Sequence, residues 1–486
     1  MTHDDLILRD AATGFVVDAH LAPASGDIGP ALAAMSAIEA GSMANVHEQL
    51  QVGHYWLRAP LLAPSPEMTE QIQDALRAIR AIDATGMDTV LQIGVGGSAL
   101  GSELVIDALK KPDSRRFVLI DTVDPVGLTE ILRSVDPKRT VVIVASKSGL
   151  TPETRTALRI VEAEFASSGI CLADQAISIT GPNSPLAEIS ASWKLTLPIW
   201  EWVGGRTSVC SPVGLVSMHL CGIDIDAFLE GAAAMDEWTR KTPPNNPAAL
   251  MALLWAQSGH NSLAVLPYVN SLRHLTRHLQ QLVMESLGKA EDRNGRTVHR
   301  GLTVFGNKGS ADQHSIIQQL RDGPEGVMVH FIDVVGPTTE SHLMQDAADL
   351  QFALLSGTRQ ALAEKGRPVI SITLPDLNPA SLGALIALFE RAVGFTAELW
   401  DINAYDQPGV EAGKRQSEFQ LDQISAVIAA LGPTEFTARE LAGTLGLDHR
   451  IIWRIATHLA HTGRAHLHRG PTPSEDRFSA GKNKLK

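Results

Sequence analysis

From Thr89 the sequence repeats one unit, in which a short apolar run is followed by a loop rich in glycine and serine and then by a helical pattern. The apolar runs are TVLQI, FVLID, VVIVAS and AISIT, at residues 89–93, 117–121, 141–146 and 176–180. Short runs without polar interruption, each separated by a helix, are typical of parallel strands covered on both faces. The pattern predicts a doubly wound α/β lobe over residues 86–240.

A break rich in proline and asparagine, KTPPNNP, follows this lobe. The runs SLAVLPY, VMVHFIDV and PVISITLP then alternate with helical patterns and predict a second α/β lobe over residues 241–416. Two such lobes favour an active site at their junction. Residues 1–85 are predicted to form a helical segment, and residues 417–486 a small helical or winged-helix-like appendage.

The composition excludes several classes of protein. Forty-one Lys and Arg face 54 Asp and Glu, which gives a net charge of −13, so any anion site must be local. Three isolated cysteines fit a reducing compartment. The start MTHDDLILRD lacks the basic and apolar regions of a signal peptide, and no uncharged apolar run approaches the ~18 residues that span a bilayer. We expect a cytoplasmic protein without a membrane partner.

Two glycine-containing loops could hold a phosphate group. The first, GVGGSA at residues 94–99, has the G-x-G-x-x-A spacing of a dinucleotide fingerprint, with Asp121 as an acid for the ribose; a dehydrogenase and a plain strand-to-helix turn both stay open here. The second, SKSGLT at residues 146–151, brings hydroxyls and backbone amides to another helix start. Two loops of this kind favour a single small phosphorylated ligand.

Several ionisable residues could carry chemistry. Gln281 and Glu285 are four apart and share one face of a predicted helix that ends near Gly288. Arg206 follows two glycines and suits an oxyanion. His274 and His278 have the spacing of a metal pair, but they alternate with arginines, which favours a solvated basic face over a metal site.

Six segments in a fixed order together resemble the glucose-6-phosphate isomerase family. The resemblance covers residues 89–414, and its segments are IGVGGSALG, SKSGLTPET, VGGRTSVCSPVGL, MESLGK, GNKGSADQHSIIQQL and YDQPGVEAGK. It implies two sugar-isomerase lobes and an aldose–ketose isomerase that interconverts glucose 6-phosphate and fructose 6-phosphate. It also implies a reaction without metal or organic cofactor, and a homodimer in which the histidine that opens the ring crosses the interface.

The resemblance assigns roles residue by residue. Glu285 would carry the proton between C1 and C2, and Arg206 would stabilise the enediolate. His314 and Lys414 would open the sugar ring. The residues that would bind the substrate are Gly97, Ser98, Ser146, Lys147, Ser148, Thr151, Gln281 and Gln407.

Two positions depart from the commoner pattern of the family. Leu150 takes the place of a threonine in the phosphate loop, so one hydroxyl contact is missing. Leu287 takes the place of the asparagine in the commoner segment MESNGK. The forms ESLGK and KGSADQH found in this chain are similar to a bacterial branch of the family. Neither position carries a group that transfers protons.

Other functions stay open at this stage. One is an isomerase for another phosphosugar pair, since loop motifs specify phosphate better than hydroxyl stereochemistry. Another is a sugar-phosphate sensor that binds DNA through residues 417–486. That segment mixes nine Lys and Arg with seven Asp and Glu, whereas a nucleic-acid reader usually clusters its basic residues, so we expect no nucleic-acid partner.

Overall fold

The four apolar runs of the first lobe form strands of one parallel sheet. A computed structural model describes residues 6–20, 26–336 and 341–481 of the chain. The strands of the described residues, β1 to β16 in chain order, are Leu6–Arg9, Val16–His20, Thr89–Ile93, Arg116–Ile120, Thr140–Ser146, Ala176–Thr180, Leu195–Pro198, Ser262–Pro267, Lys289–Glu291, Thr297–Arg300, Thr303–Phe305, Val327–Val334, Val369–Leu374, Phe436–Thr437, Ala465–His468 and Arg477–Ala480.

Helices cover both α/β sheets. The α-helices of the described residues, α1 to α17 in chain order, are Gly29–Glu39, Pro66–Arg80, Leu100–Leu109, Pro125–Arg133, Pro152–Ser167, Pro185–Ile189, Pro212–Leu220, Ile225–Thr239, Pro247–Gln257, Leu275–Leu279, Gly309–Asp312, Ile317–Asp322, His342–Ala363, Pro379–Trp400, Pro408–Ala430, Ala438–Leu445 and His449–His461. Many begin with proline in the first turn, where a missing backbone N–H costs nothing.

The first sheet has the strand order β4-β3-β5-β6-β7, and every pair is parallel. In the second sheet, β11, β8, β12 and β13 are also parallel. The carboxyl ends of parallel strands meet at one edge of a sheet, which is where the glycine-rich loops lie. The two-lobed α/β prediction is confirmed.

The amino-terminal segment differs from the prediction. Residues 1–85 were expected to be helical, but β1 and β2 pair antiparallel with each other, and β2 pairs antiparallel with β13. In β2, Val17 and Ala19 are buried while Asp18 between them is half-buried, the period-two pattern of a strand with one face on the core. In the described part of this segment, α1, α2 and a short 3-10 turn at Pro60–Leu62 follow the helical expectation.

The helix α14 is the most apolar long helix of the described residues. It has the length and composition of a membrane span, but 94% of its apolar window is buried within the protein. It packs against α8, α9 and α1. Two of its three charged side chains are paired inside the core: Glu390 accepts from Arg58 at 2.7 Å, and Arg391 donates to Asp236 at 2.7 Å. Its burial makes α14 a core helix of the first unit.

The chain divides into two compact units, residues 1–406 and 407–486. The predicted boundaries at 85, 240 and 416 stay predictions. In the second unit, α15, β14, α16, α17 and the hairpin β15–β16 follow one another, and the small sheet has the order β14-β16-β15. This succession is the winged-helix arrangement expected from the sequence.

Candidate active site

Glu285 lies at the end of an unusual helical turn. The sequence predicts one continuous helix here, but the structure has a 3-10 turn at Asn270–Leu272, the short helix α10, and then a π-helical segment at Gln280–Glu285. Leu279 and Leu282 anchor this segment in the core, as the predicted leucine face requires. A π-helical turn is a costly geometry that is frequent at functional sites.

Two side chains hold the Glu285 carboxylate. Its Oε2 accepts a hydrogen bond from Arg206 Nη1 at 3.0 Å and one from Gln281 Nε2 at 3.3 Å. The Glu285 side chain is 21% exposed, so it is oriented by the protein and still open on one side. A carboxylate with an ion-pair partner and an open face can exchange a proton with a bound molecule.

Arg206 is fixed from the other side by backbone carbonyls. It sits in a 3-10 turn at Gly205–Thr207, and its side chain is 5% exposed. Its Nη2 donates to the carbonyl oxygens of Ala404 at 2.5 Å and Asp406 at 3.0 Å. The guanidinium charge is therefore held rigidly beside the carboxylate, as a group that stabilises a developing oxyanion must be.

The first glycine loop, at residues 94–99, packs against the segments that carry Arg206 and Glu285. A Cβ at Gly97 would lie 2.1 Å from the carbonyl carbon of Gly205, and Ser208 Oγ donates to the Gly97 carbonyl at 3.1 Å. Gly96 has φ +57°, and a Cβ there would meet Gln281 Nε2 at 3.0 Å. Glycine is required here because the backbone of one loop touches the next. The structure thus brings together Gly97, Ser98, Arg206, Gln281 and Glu285.

The second loop forms a cradle before α5. Ser146 Oγ accepts from the Gly149 amide at 3.2 Å and lies 3.2 Å from Thr151 Oγ1. Lys147 Nζ donates to the carbonyls of Glu201 at 2.8 Å and Val203 at 3.0 Å, and its partial burial lowers its pKa. These bonds tie the loop to the segment that leads into Arg206. Ser148 and Leu150 are exposed.

Lys289 and Asp406 complete the floor of the site, and sequence reasoning missed both. Lys289 Nζ lies 3.0 Å from the Glu285 carbonyl, 2.8 Å from the Asp406 carbonyl and 3.1 Å from Asp406 Oδ1. Burial, followed by the charge of Arg206, lowers the pKa of Lys289. The signal in the sequence was their place in two of the six segments, Lys289 in MESLGK and Asp406 in YDQPGVEAGK.

No hydrogen bond or ion pair joins His314 to this cluster in the part of the chain that the structure describes. His314 follows α11 in a turn, its side chain is exposed, and its ring makes no hydrogen bond with the residues that the structure describes. Gln407 and Lys414 belong to the second unit: Gln407 precedes α15 and Lys414 lies within that helix. The side chain of Lys414 is outside the described part of the structure. The roles of these three residues stay predictions.

Comparison with known proteins decides the family. The sequence profile described as phosphoglucose isomerase matches residues 63–365 and 359–429. This chain belongs to the phosphoglucose isomerase family. The same family is also called glucose-6-phosphate isomerase, so the resemblance noted in the sequence is confirmed.

Curated relatives and solved structures agree. A glucose-6-phosphate isomerase from Thermosynechococcus vestitus is 43% identical, with 88% of this chain and 87% of the relative covered. The relative from Synechococcus elongatus is 44% identical with the same coverage. A crystal structure of a glucose-6-phosphate isomerase from Chlamydia trachomatis is 26% identical, with a TM-score of 0.78 over 86% of this chain and 90% of that chain.

Membership of the phosphoglucose isomerase family removes the dehydrogenase interpretation of the Gly94 loop. The basic-face interpretation of the histidine pair is also wrong for His278, which is buried and whose pKa desolvation lowers to about 4. His274 is half-buried beside Glu103 and Asp107. Among the described residues, no group of three or more His, Cys, Asp or Glu side chains is arranged to hold a metal ion.

We predict that Lys289→Met lowers kcat about 10- to 100-fold with a smaller effect on KM, since a misplaced catalytic group costs rate. The substitution leaves the buried Asp406 carboxylate without its cation and the Glu285 carbonyl without a donor. Steady-state kinetics measure this effect, with the exposed Lys365→Met as the matched control. An unchanged kcat in a folded Lys289→Met protein would contradict a positioning role.

Proposed function

We propose that this chain interconverts glucose 6-phosphate and fructose 6-phosphate by proton transfer, with Glu285 as the base. The observation that carries the proposal is the Glu285 carboxylate, held by Arg206 and Gln281 beside the two glycine loops. The family supports an aldose–ketose isomerase, and it favours this sugar pair over another phosphosugar or a regulator without enzymatic activity.

The geometry of the site supports the following course of the proton transfer. Glu285 takes the proton from C2 of the open aldose, and the C1 oxygen gains negative charge as the enediolate forms. A proton passes from the C2 hydroxyl to the C1 oxygen, and the same carboxylate then returns its proton to C1 to give the ketose. Because Arg206 is buried and bonded to two carbonyls, its positive charge lies in place before the oxyanion develops. Gln281 limits rotation of the carboxylate through its bond to Oε2.

The loop at residues 146–151 is proposed to bind the phosphate. Its hydroxyls, Ser146, Ser148 and Thr151, precede the amino terminus of the sixteen-residue helix α5, whose free amides favour an anion. Lys147 adds positive charge and braces the loop through the Glu201 and Val203 carbonyls. Gly97 and Ser98 would line the sugar, and Gln407 would contact its hydroxyls.

Ring opening is proposed to use His314 and Lys414 as acid and base. The exposed, unbonded ring of His314 supports its delivery into the site of a second subunit, which makes the homodimer the working form. We also propose a cytoplasmic location, because the three cysteines are free thiols.

We predict that Glu285→Gln lowers kcat by about 10³-fold or more, because the amide cannot accept the proton from carbon. The assay couples fructose 6-phosphate conversion to detection of glucose 6-phosphate. The matched control is Glu291→Gln, an exposed glutamate six positions along the chain, which should keep full activity. A Glu285→Gln protein with near-normal kcat would overturn the mechanism.

We predict that two inactive variants restore each other in a mixed dimer. Glu285→Gln and His314→Ala chains, co-expressed with different tags and purified through both, should show about half the wild-type activity, because one of the two sites then holds neither substitution. If His314 served its own chain, every site of the mixed dimer would carry one defect. An inactive mixed dimer, or none captured, would contradict the proposal.

A further inference from the structure

The basic residues of the winged-helix-like unit are concentrated in one segment, which a count over residues 417–486 does not show. Residues 449–474 contain four arginines and five histidines but no Asp or Glu, within a chain whose net charge is −13. Three more lysines, at 482, 484 and 486, follow in the sequence. Residues 431–481 as a whole hold six arginines against five Asp and Glu, so the positive charge is a local feature of the segment from α17 to the wing. A local basic surface on an acidic chain favours an anionic partner. The phosphoglucose isomerase profile ends at residue 429, so this unit lies beyond the matched family region.

The fold of the unit places these charges on one helix and one hairpin. Helix α16 begins with a capping box between Thr437 and Glu440 and ends at Gly446, which has φ +68°. The chain then turns at once into α17, which Asp448 caps. Two helices joined by so short a turn and followed by a hairpin form the arrangement that sets a second helix into the major groove of DNA.

One face of α17 carries the basic residues and the opposite face forms the core. Ile452, Ile455, Ala456 and Leu459 are buried within the unit. The exposed residues at spacings of four, four and three are Arg450, Arg454, His458 and His461. These spacings keep the four side chains on one side of the helix.

The hairpin is fastened to α17 by a buried acid. Asp476 Oδ2 accepts from the Trp453 indole at 3.0 Å, and its Oδ1 accepts from the Gly470 amide at 3.1 Å. Because Asp476 is 4% exposed, its charge serves this internal link and is not presented to a partner. The loop between β15 and β16 begins with the exposed Arg469, so that the wing adds a cation beside the helix.

Two acids near this surface are paired with cations, and the exposed Glu475 of the wing accepts a hydrogen bond from Thr472 Oγ1 at 2.6 Å. Asp448 pairs with Arg450 at 2.9 Å, and Glu435 pairs with His468. In the described part of the chain, Arg454 and Arg469 make neither an ion pair nor a side-chain hydrogen bond. Two cations without a partner, one on the helix and one on the wing, are what phosphate contacts require.

We propose that the unit formed by residues 431–481 binds duplex DNA through α17 and the β15–β16 wing, as a second activity of this isomerase. The helix enters the major groove, and Arg454 and Arg469 contact phosphates of the backbone. The expectation of no nucleic-acid partner counted residues 417–486 together. That count combined the acids of the segment, all of which except Glu475 and Asp476 lie before α17, with the basic residues of α17 and the wing.

The test uses the full chain and a labelled 30-base-pair duplex of arbitrary sequence, followed by fluorescence anisotropy between about 25 and 200 mM salt. We expect binding in the micromolar range at low salt that weakens as salt rises, as phosphate contacts do. The variant R454E/R469E should bind at least about tenfold more weakly and keep its isomerase activity. The control R133E/R159E changes two exposed arginines of the first unit and the net charge equally, and should bind as the wild type does.

Several results would overturn the proposal. No binding at the lowest salt, equal binding by both double variants, or equal affinity for a single-stranded 30-mer would each do so. If the surface instead contacts a protein or a second copy of the chain, R454E/R469E changes the sedimentation coefficient while no DNA is bound. Isomerase activity is measured in parallel, so a failure here is distinguishable from a failure of the catalytic assignment.

Discussion

The buried guanidinium of Arg206 is the interaction on which the catalytic unit depends. It joins Glu285, 79 positions away in the sequence, to the carbonyls of Ala404 and Asp406 near the end of the unit. An arginine this deeply buried is stable only if its donors are satisfied, and each of these partners fixes a different segment. Lys289 is a second buried cation of this kind, because it bridges the Glu285 carbonyl to Asp406. Arg206 therefore holds the Glu285 carboxylate and Lys289 holds its backbone carbonyl, and the acceptors that satisfy these two cations also position Glu285.

This constraint explains the local backbone. Gly97 must be glycine because the Gly205 backbone occupies the space of a side chain, and that contact sets the turn that carries Arg206. The π-helical turn at the end of α10 directs Gln281 and Glu285 toward the same space. Lys147 links the loop at residues 146–151 to the segment before Arg206, so the proposed phosphate site and the proposed oxyanion-stabilising group share one scaffold.

Local patterns predicted most of this framework. The apolar runs predicted four of the five strands of the first sheet, and the loops after two of them contain Gly97 and Ser146. A pair of glycines pointed to Arg206. These features were readable because strand ends and glycine turns depend on adjacent residues. The strand β2 escaped notice because its alternating pattern is short and its partner β13 lies 350 residues away. Asp406 and Lys289 escaped for the same reason, as their pairing spans 117 positions. The basic face of α17 could not be predicted from the sequence, because only the fold shows which acids are paired and which cations are not.

The account's central claim is that Arg206 and Glu285 act as one device, and a double-mutant cycle tests it most directly. The kcat/KM of the wild type, Glu285→Gln, Arg206→Gln and the double variant would be measured under identical conditions. If the arginine works by orienting the base and stabilising the charge that the base creates, the double variant loses little more than Glu285→Gln alone. Losses that multiply would show that the two residues act independently, and would contradict the account.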